Sequence, residues 1–250
     1  MSGDLYLRNI LAKYTVEIAA AQAAGQTIYP VLEKWSKGYM LKAEFSGSMS
    51  KGTAINICTD ADIFISLKAT TPGTLQDIYN TLHTAVTQSG YPARRQNVSI
   101  GTTVNGHRID LVPGRRQDQY GNDHSLYKSK TGSWTKTNIH THINQVASSN
   151  RIDEIKLTKI WRELNGLSFP SFYLELAVID ALKYSKVGYL SSNFWSVLGF
   201  LRDDLASKRY IDPANTNNVI SDDLSIQEKR NIATRAAESR NQNNWNRIVW

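Results

Sequence analysis

Asp60 and Asp62 stand two residues apart at the head of an Ile- and Phe-rich alternating run. The two-residue period of a β-strand sends both carboxylates to one face, where they can share a metal ion. Asp110 lies in a second alternating run, His107-Arg108-Ile109-Asp110-Leu111-Val112. An acidic side chain flanked there by Ile and Leu is costly unless it points into a polar site. Three carboxylates on neighbouring strands make a hard oxygen donor set of the kind Mg²⁺ takes, together with waters and phosphate oxygens. A pair of such ions activates an attacking hydroxyl and neutralises a leaving pyrophosphate. The residue types alone leave a plainer alternative open, with Asp60 as a cap or turn residue and Asp110 as a solvated strand residue. Upstream, Gly47 lets a backbone approach closely and Ser48 offers a hydroxyl, and amide groups at such a turn can cradle triphosphate oxygens. An ordinary Ser/Gly turn is the other reading of that loop.

These residues need elements to hold them. Residues 4 to 42 carry apolar positions at helical spacing, among them Leu5, Ile10, Leu11, Tyr14, Ile18, Val31, Leu32 and Trp35, which predicts two helices or one broken at Gly25 and Pro30. Lys42 to Phe45 reads as a short strand, Ala61 to Lys68 as a longer one, and 73 to 89 as a helix. Two more strands, 94 to 103 and 106 to 113, join at Asn105-Gly106, a hairpin turn signal. Between 114 and 150 the composition turns to Gly, Ser, Thr, Asn, Lys and His, which predicts a long surface connector. Helical spacing returns at Ile152, Ile155, Leu157, Ile160, Trp161 and Leu164, with Gly166 as a stop. Further helices are expected from Pro170 to Leu182, near 191 to 207 and near 225 to 242.

Three segments carry a family resemblance: Ser46-Gly47-Ser48-Met49-Ser50-Lys51-Gly52-Thr53-Ala54-Ile55, Thr59-Asp60-Ala61-Asp62-Ile63-Phe64 and Arg108-Ile109-Asp110-Leu111-Val112-Pro113. Together they resemble the DNA polymerase beta-like nucleotidyltransferase superfamily, which includes poly(A) and CCA-adding enzymes, oligoadenylate synthases and bacterial cGAS/DncV-like enzymes. The resemblance implies that Gly47 and Ser48 bind the nucleotide triphosphate and that Asp60, Asp62 and Asp110 are catalytic residues holding two Mg²⁺ ions, with Mn²⁺ as a substitute. The second half narrows the choice. Arg151 to Trp161, then Phe169 to Leu176, look like the helical domain of oligoadenylate synthases and cGAS/DncV-like enzymes (CD-NTases). In that comparison Lys159 takes the place of a lysine that reaches nucleotide phosphates, Ser171 a polar position near the donor nucleotide, and Glu175 a supporting place in the fold. Asp212-Pro213 resembles a turn late in the same domain, and Trp134 to Asn138 the segment between the lobes. Ala61 and Thr216 depart from the usual pattern, and neither removes a metal ligand.

The implied fold class is α+β: a polymerase-beta-like lobe of mixed sheet and helices over 1–135 and a helical, oligoadenylate-synthase-like lobe over 136–250, with the active site in the cleft between them. The implied function is a transferase that joins NTPs into a cyclic (di- or tri-) or short linear oligonucleotide second messenger, releasing pyrophosphate, within bacterial anti-phage signalling that includes a downstream effector. An RNA or tRNA 3′-end nucleotidyltransferase and a catalytically silent nucleotide-binding regulator are the alternatives.

Composition limits the other choices. The chain has 250 residues, 41% apolar and 20% charged, the balance of a globular protein. No apolar run approaches the roughly 20 residues that span a bilayer, and the N-terminus lacks a basic region followed by an apolar stretch. With the single cysteine Cys58, these features predict a cytoplasmic protein with no membrane partner. The net charge of +7 suits anionic partners, although no part of the sequence requires a nucleic-acid activator. Trp161 is expected in the core, His140 and His142 on the surface, and Cys58 as a small packing residue; Tyr173 is open between packing and base stacking.

Overall fold

The computed structural model describes residues 2–58 and 60–250; Met1 and Thr59, the opening residue of the second motif, lie outside the described residues. The described chain divides into one unit of residues 17–51 and 60–143 and another of residues 2–16, 52–58 and 144–250.

The N-terminal stretch forms two helices, α1 (Gly3–Lys13) and α2 (Ile18–Ser36), but the break falls at residues 14 to 17 and not at Gly25 or Pro30. Helix α2 continues through both because Ala21, Ala24, Ile28 and Leu32 form a buried stripe packed on a sheet. That burial outweighs an interior proline, whose cost is about 3 kcal/mol. Gly25 allows close approach, since a Cβ there would stand 2.9 Å from Phe45 Cζ. Helix α1 packs in the helical unit through Leu7 and Ile10, so the lobe expected over 1–135 does not keep its first helix.

The sheet unit continues with β1 (Met40–Phe45), the short α3 (Gly47–Ser50), β2 (Ala61–Leu67), α4 (Leu75–Gln88), β3 (Ala93–Arg95), β4 (Ile100–Val104), β5 (His107–Arg116), β6 (His124–Lys128) and β7 (Ser133–Thr137). Among the described residues the spatial order is β1-β2-β5-β4-β3, with β6 joining β5 and β7 joining β6. Strands β2 and β5 run parallel and the other pairs antiparallel, so the sheet is mixed. Alternation then sorts the side chains. Ala61, Ile63, Ile65 and Leu67 of β2, with Ile109 and Leu111 of β5, pack with α2 and α4. Asp62 and Asp110 therefore face the other way. Helix α4 begins with a capping box in which Thr74 and Asp77 satisfy each other's backbone donors.

The expected strand over 94–103 is two strands, β3 and β4, separated by a bend at 96–99. The hairpin at Asn105-Gly106 has the left-handed backbone that this pair favours, with φ of 51° and 80°. The expected surface connector over 114–150 is a correction: it holds the end of β5, the β6–β7 hairpin and helix α5 (Ile139–Ala147). Its polar residues conceal a strand pattern in which His124 and Leu126 point inward, and the boundary between the units passes through α5.

The helical unit adds α6 (Ile152–Leu164), α7 (Ser171–Ala181), α8 (Leu190–Asp203), the small hairpin β8 (Ile211–Asp212) with β9 (Asn215–Val219), and α9 (Ile226–Arg240). Trp161 is fully buried in its core and donates to Ser239 Oγ at 2.9 Å, the place expected for it. Asp212 caps its own turn, accepting from Ala214 N–H at 2.8 Å. Among the described residues no helix is long and apolar enough to cross a membrane.

Candidate active site

In the sheet unit, Asp62 and Asp110 are direct neighbours in the parallel β2–β5 register. Asp60 precedes β2 by one residue and falls on the same face by the two-residue period. Burial, then the negative charge of Asp60, push the Asp110 carboxyl above the ordinary carboxylate range; a hydrogen bond from Gln96 and the charges of Arg94 and Arg108 act against them. Arg108 Nε lies 2.7 Å from Asp60 Oδ1, an ion pair whose angle is not that of a hydrogen bond.

The Gly-Ser loop reaches this site through the backbone. Strand β1 lies antiparallel to β2, and beyond its end Ser46 N–H donates to the Asp62 carbonyl at 2.8 Å. Gly47 follows with φ of +58°, and a Cβ on it would come within 1.7 Å of Asp62 Oδ2. Two demands therefore meet at one glycine: left-handed backbone and contact with a carboxylate. Ser48 is half-buried, and its hydroxyl makes no hydrogen bond among the described residues. Ser50 Oγ donates back to the Phe45 carbonyl and closes the turn.

The other two expected nucleotide-binding residues belong to the helical unit. Lys159 is 1% exposed, and its ammonium donates to Glu175 Oε1 at 2.7 Å and to Thr53 Oγ1 at 2.9 Å. Thr53 Oγ1 in turn donates to the same carboxylate oxygen at 2.8 Å. Glu175 thus has the supporting place expected of it. Lys159 is engaged in that buried cluster. Ser171, the first residue of α7, is exposed and its Oγ accepts from Arg162 Nη1 at 3.0 Å. Arg162 also donates to the Phe169 carbonyl at 2.7 Å, which fixes the turn before α7.

Gln96 and Gly101 stand beside the aspartates outside every motif, and Arg108 stands inside one with no role assigned to it. Gln96 donates to Asp110 Oδ1 at 2.8 Å, Gly101 lies opposite Asp110 in the β4–β5 register, and Arg108 pairs with Asp60. The only sequence clue to Arg108 was its position two residues before Asp110. Tyr173 is fully buried, and burial with the nearby charge of Asp222 raises its phenol to about 12, so it packs instead of presenting a face for stacking. His140 Nε2 lies 3.2 Å from Lys42 Nζ and 3.7 Å from Glu44. Burial raises the Cys58 thiol pKa, in keeping with a packing role.

A mixed sheet with helices on one face, and an Asp-x-Asp strand beside a third aspartate on the other, is the polymerase-beta-like fold. Residues 5–150 match the Second Messenger Oligonucleotide or Dinucleotide Synthetase (SMODS) domain, and the chain belongs to that family. It is a nucleotidyltransferase of the kind that synthesises oligonucleotide or dinucleotide second messengers. Enzymes of this family generally use divalent metal ions.

Solved structures share the fold. CdnG, a CD-NTase of Bradyrhizobium diazoefficiens in complex with GTP, is 14% identical with a TM-score of 0.75, over 97% of this chain and 94% of that one. CdnC of E. coli MS115-1 with ATP is 18% identical with a TM-score of 0.71, over 93% and 88%. The CdnE cyclic dinucleotide synthase of Elizabethkingia meningoseptica with GTP and Apcpp is 14% identical with a TM-score of 0.70, over 88% and 92%. Comparison of the sequence with curated proteins gives no match.

Proposed function

We propose that Asp60, Asp62 and Asp110 are the metal-holding carboxylates of this synthase, that they take two Mg²⁺ ions with Mn²⁺ as a substitute, and that Gly47, Ser48, Lys159 and Ser171 bind the nucleotides. The observation that carries the reading is the side-by-side placement of Asp62 and Asp110 on parallel strands, with Gly47 against Asp62. The donor set fits the ion: three hard carboxylates, one of them half-buried beside a like charge that a divalent cation offsets. Among the described residues no three acidic, His or Cys side chains already surround one point, and Asp60 is turned to Arg108.

When bound, the ions supply Lewis-acid stabilisation of the transferring phosphoryl group and of the leaving pyrophosphate. The chain's own residues do the rest. Gly47 lets the loop backbone stand against the Asp62 carboxylate, and the Ser48 hydroxyl is available to donate to a phosphate oxygen. In this reading Asp110 takes the proton that the acceptor hydroxyl of a second NTP, or of a linear intermediate, loses as it attacks. Repeating the transfer on the intermediate's own hydroxyl closes a ring. The substrates are NTPs, ATP or another, and the product signals to a downstream effector in bacterial anti-phage defence.

The test is incubation of the purified protein with the four NTPs and Mg²⁺, followed by phosphatase treatment and mass spectrometry. Phosphatase-resistant oligonucleotides are expected, and the Asp60→Ala/Asp62→Ala variant makes none while staying folded. Labelling confined to RNA 3′ ends overturns the messenger reading. Unchanged biological activity in the double variant favours a silent regulator instead.

A further inference from the structure

Gln96 lies in the bend between β3 and β4, and each of its polar groups is engaged. Its backbone N–H donates to the Ser99 carbonyl at 2.9 Å. Its backbone carbonyl accepts from the hydroxyls of Tyr79 and Ser129, each at 2.6 Å. Oε1 accepts from Ser99 Oγ at 3.0 Å, and Nε2 donates to Asp110 Oδ1 at 2.8 Å. The reverse amide orientation would set Oε1 against a carboxylate oxygen, lone pair to lone pair, so the amide has one way to sit. Gly101 keeps the path open: a Cβ there would stand 2.6 Å from Gln96 Nε2 and 3.1 Å from Asp110 Oδ1. Two backbone anchors from α4 and the 128–131 turn, one side-chain anchor and a missing Cβ thus converge on one oxygen of one aspartate.

We infer that Gln96 is a positioning residue for nucleotidyl transfer, holding Asp110 in the single orientation that serves the divalent cation, with Gly101 as the space that permits it. The inference rests on the reading of Asp110 as a metal-holding carboxylate. A carboxylate on a strand rotates about two side-chain bonds, and that freedom is lost when it takes a ligand. Anchoring one oxygen beforehand removes much of the loss, which is why partners behind metal ligands are worth roughly 10- to 100-fold in metal affinity or activity.

Gln96→Met keeps the length of the side chain and removes the donor. Gly101→Ala keeps Gln96 and pushes its amide aside. Mn²⁺ affinity of the nucleotide-free protein is measured by paramagnetic resonance of the free ion, alongside Tm, kcat and KM for NTP. Asp110→Asn serves as the reference for a lost ligand.

Both variants are expected to bind Mn²⁺ roughly 10- to 100-fold more weakly than the parent. Their kcat should fall at fixed Mn²⁺ with KM for NTP little changed, and excess Mn²⁺ should restore turnover. Parental Mn²⁺ affinity in both variants, while Asp110→Asn loses it, overturns the inference and leaves the carboxylate reading standing. A lowered Tm with unchanged Mn²⁺ affinity assigns Gln96 a purely structural part and overturns it likewise. Absence of Mn²⁺ binding by the parent protein overturns both readings.

Discussion

Lys159 and Glu175 form an ion pair with almost no exposure to solvent. Removing one member of such a pair leaves a buried charge, so Lys159→Met should destabilise by about 3–5 kcal/mol in urea denaturation, and adding Glu175→Leu should recover much of it. If the single and double variants are equally unstable, the pair is not the source. Gly47 makes a contrasting case, because its demands come from backbone and neighbour together. Gly47→Ala should cost roughly 1–3 kcal/mol of strain and abolish turnover, measured by thermal melts and product formation, because the new methyl displaces Asp62. The shared face of Asp62 and Asp110 and the tight turn at Gly47 were legible in the sequence because strand periodicity and loop composition act over a few residues. Gln96 was not, since its partner is brought to it by the β4–β5 hairpin. The engagement of Lys159 by Glu175 and Thr53 was equally hidden, as it joins segments far apart in the chain.

Elements show the same division between local pattern and tertiary demand. Strand β5 and helix α4 follow their apolar periodicity, whereas α2 crosses Gly25 and Pro30 because the sheet rewards a continuous stripe. The β6–β7 hairpin was read as a connector because much of its polar surface is strand surface. One of its residues makes a pH-sensitive tie to β2. His124 is buried, with Nε2 2.8 Å from Ser66 Oγ and Nδ1 2.8 Å from the Asn122 carbonyl. Burial, chiefly, holds its imidazole below the ordinary value near 6.5. The unfolded chain therefore binds the proton first. The stability that neutral His124 contributes is complete above pH 6.5 and is lost as pH falls from there through the lowered folded value. Melting temperature should drop on acidification from pH 7.5 to 5.5, and His124→Gln should flatten that dependence; an identical slope in the variant excludes His124 as its source.

At the scale of the molecule, the chain enters the helical unit three times, as residues 2–16, 52–58 and 144–250. Leu7, Ile10, Tyr14 and Ile55 belong to the same core as Trp161 and Phe194. A fragment of residues 144–250 lacks those four side chains and should not give a cooperative melt alone, whereas adding a peptide of residues 2–16 should restore part of its order. A cooperative, fully stable fragment would mean that α1 and 52–58 contribute little. This interleaving was not legible in the sequence, because the apolar spacing of α1 says that it needs a partner and not which one.

The short thread from Gly52 to Cys58 leaves the sheet unit just after the Gly-Ser loop and returns just before Asp60, carrying Thr53 to the buried Lys159–Glu175 pair. Its consequence lies in inheritance. A recombination that exchanged the second half of the gene between relatives would separate Thr53 and Ile55 from the helices they pack with, so only exchanges that also carry this seven-residue insert keep a matched core. Change in the two halves is thereby coupled through a stretch that by position looks like mere linker.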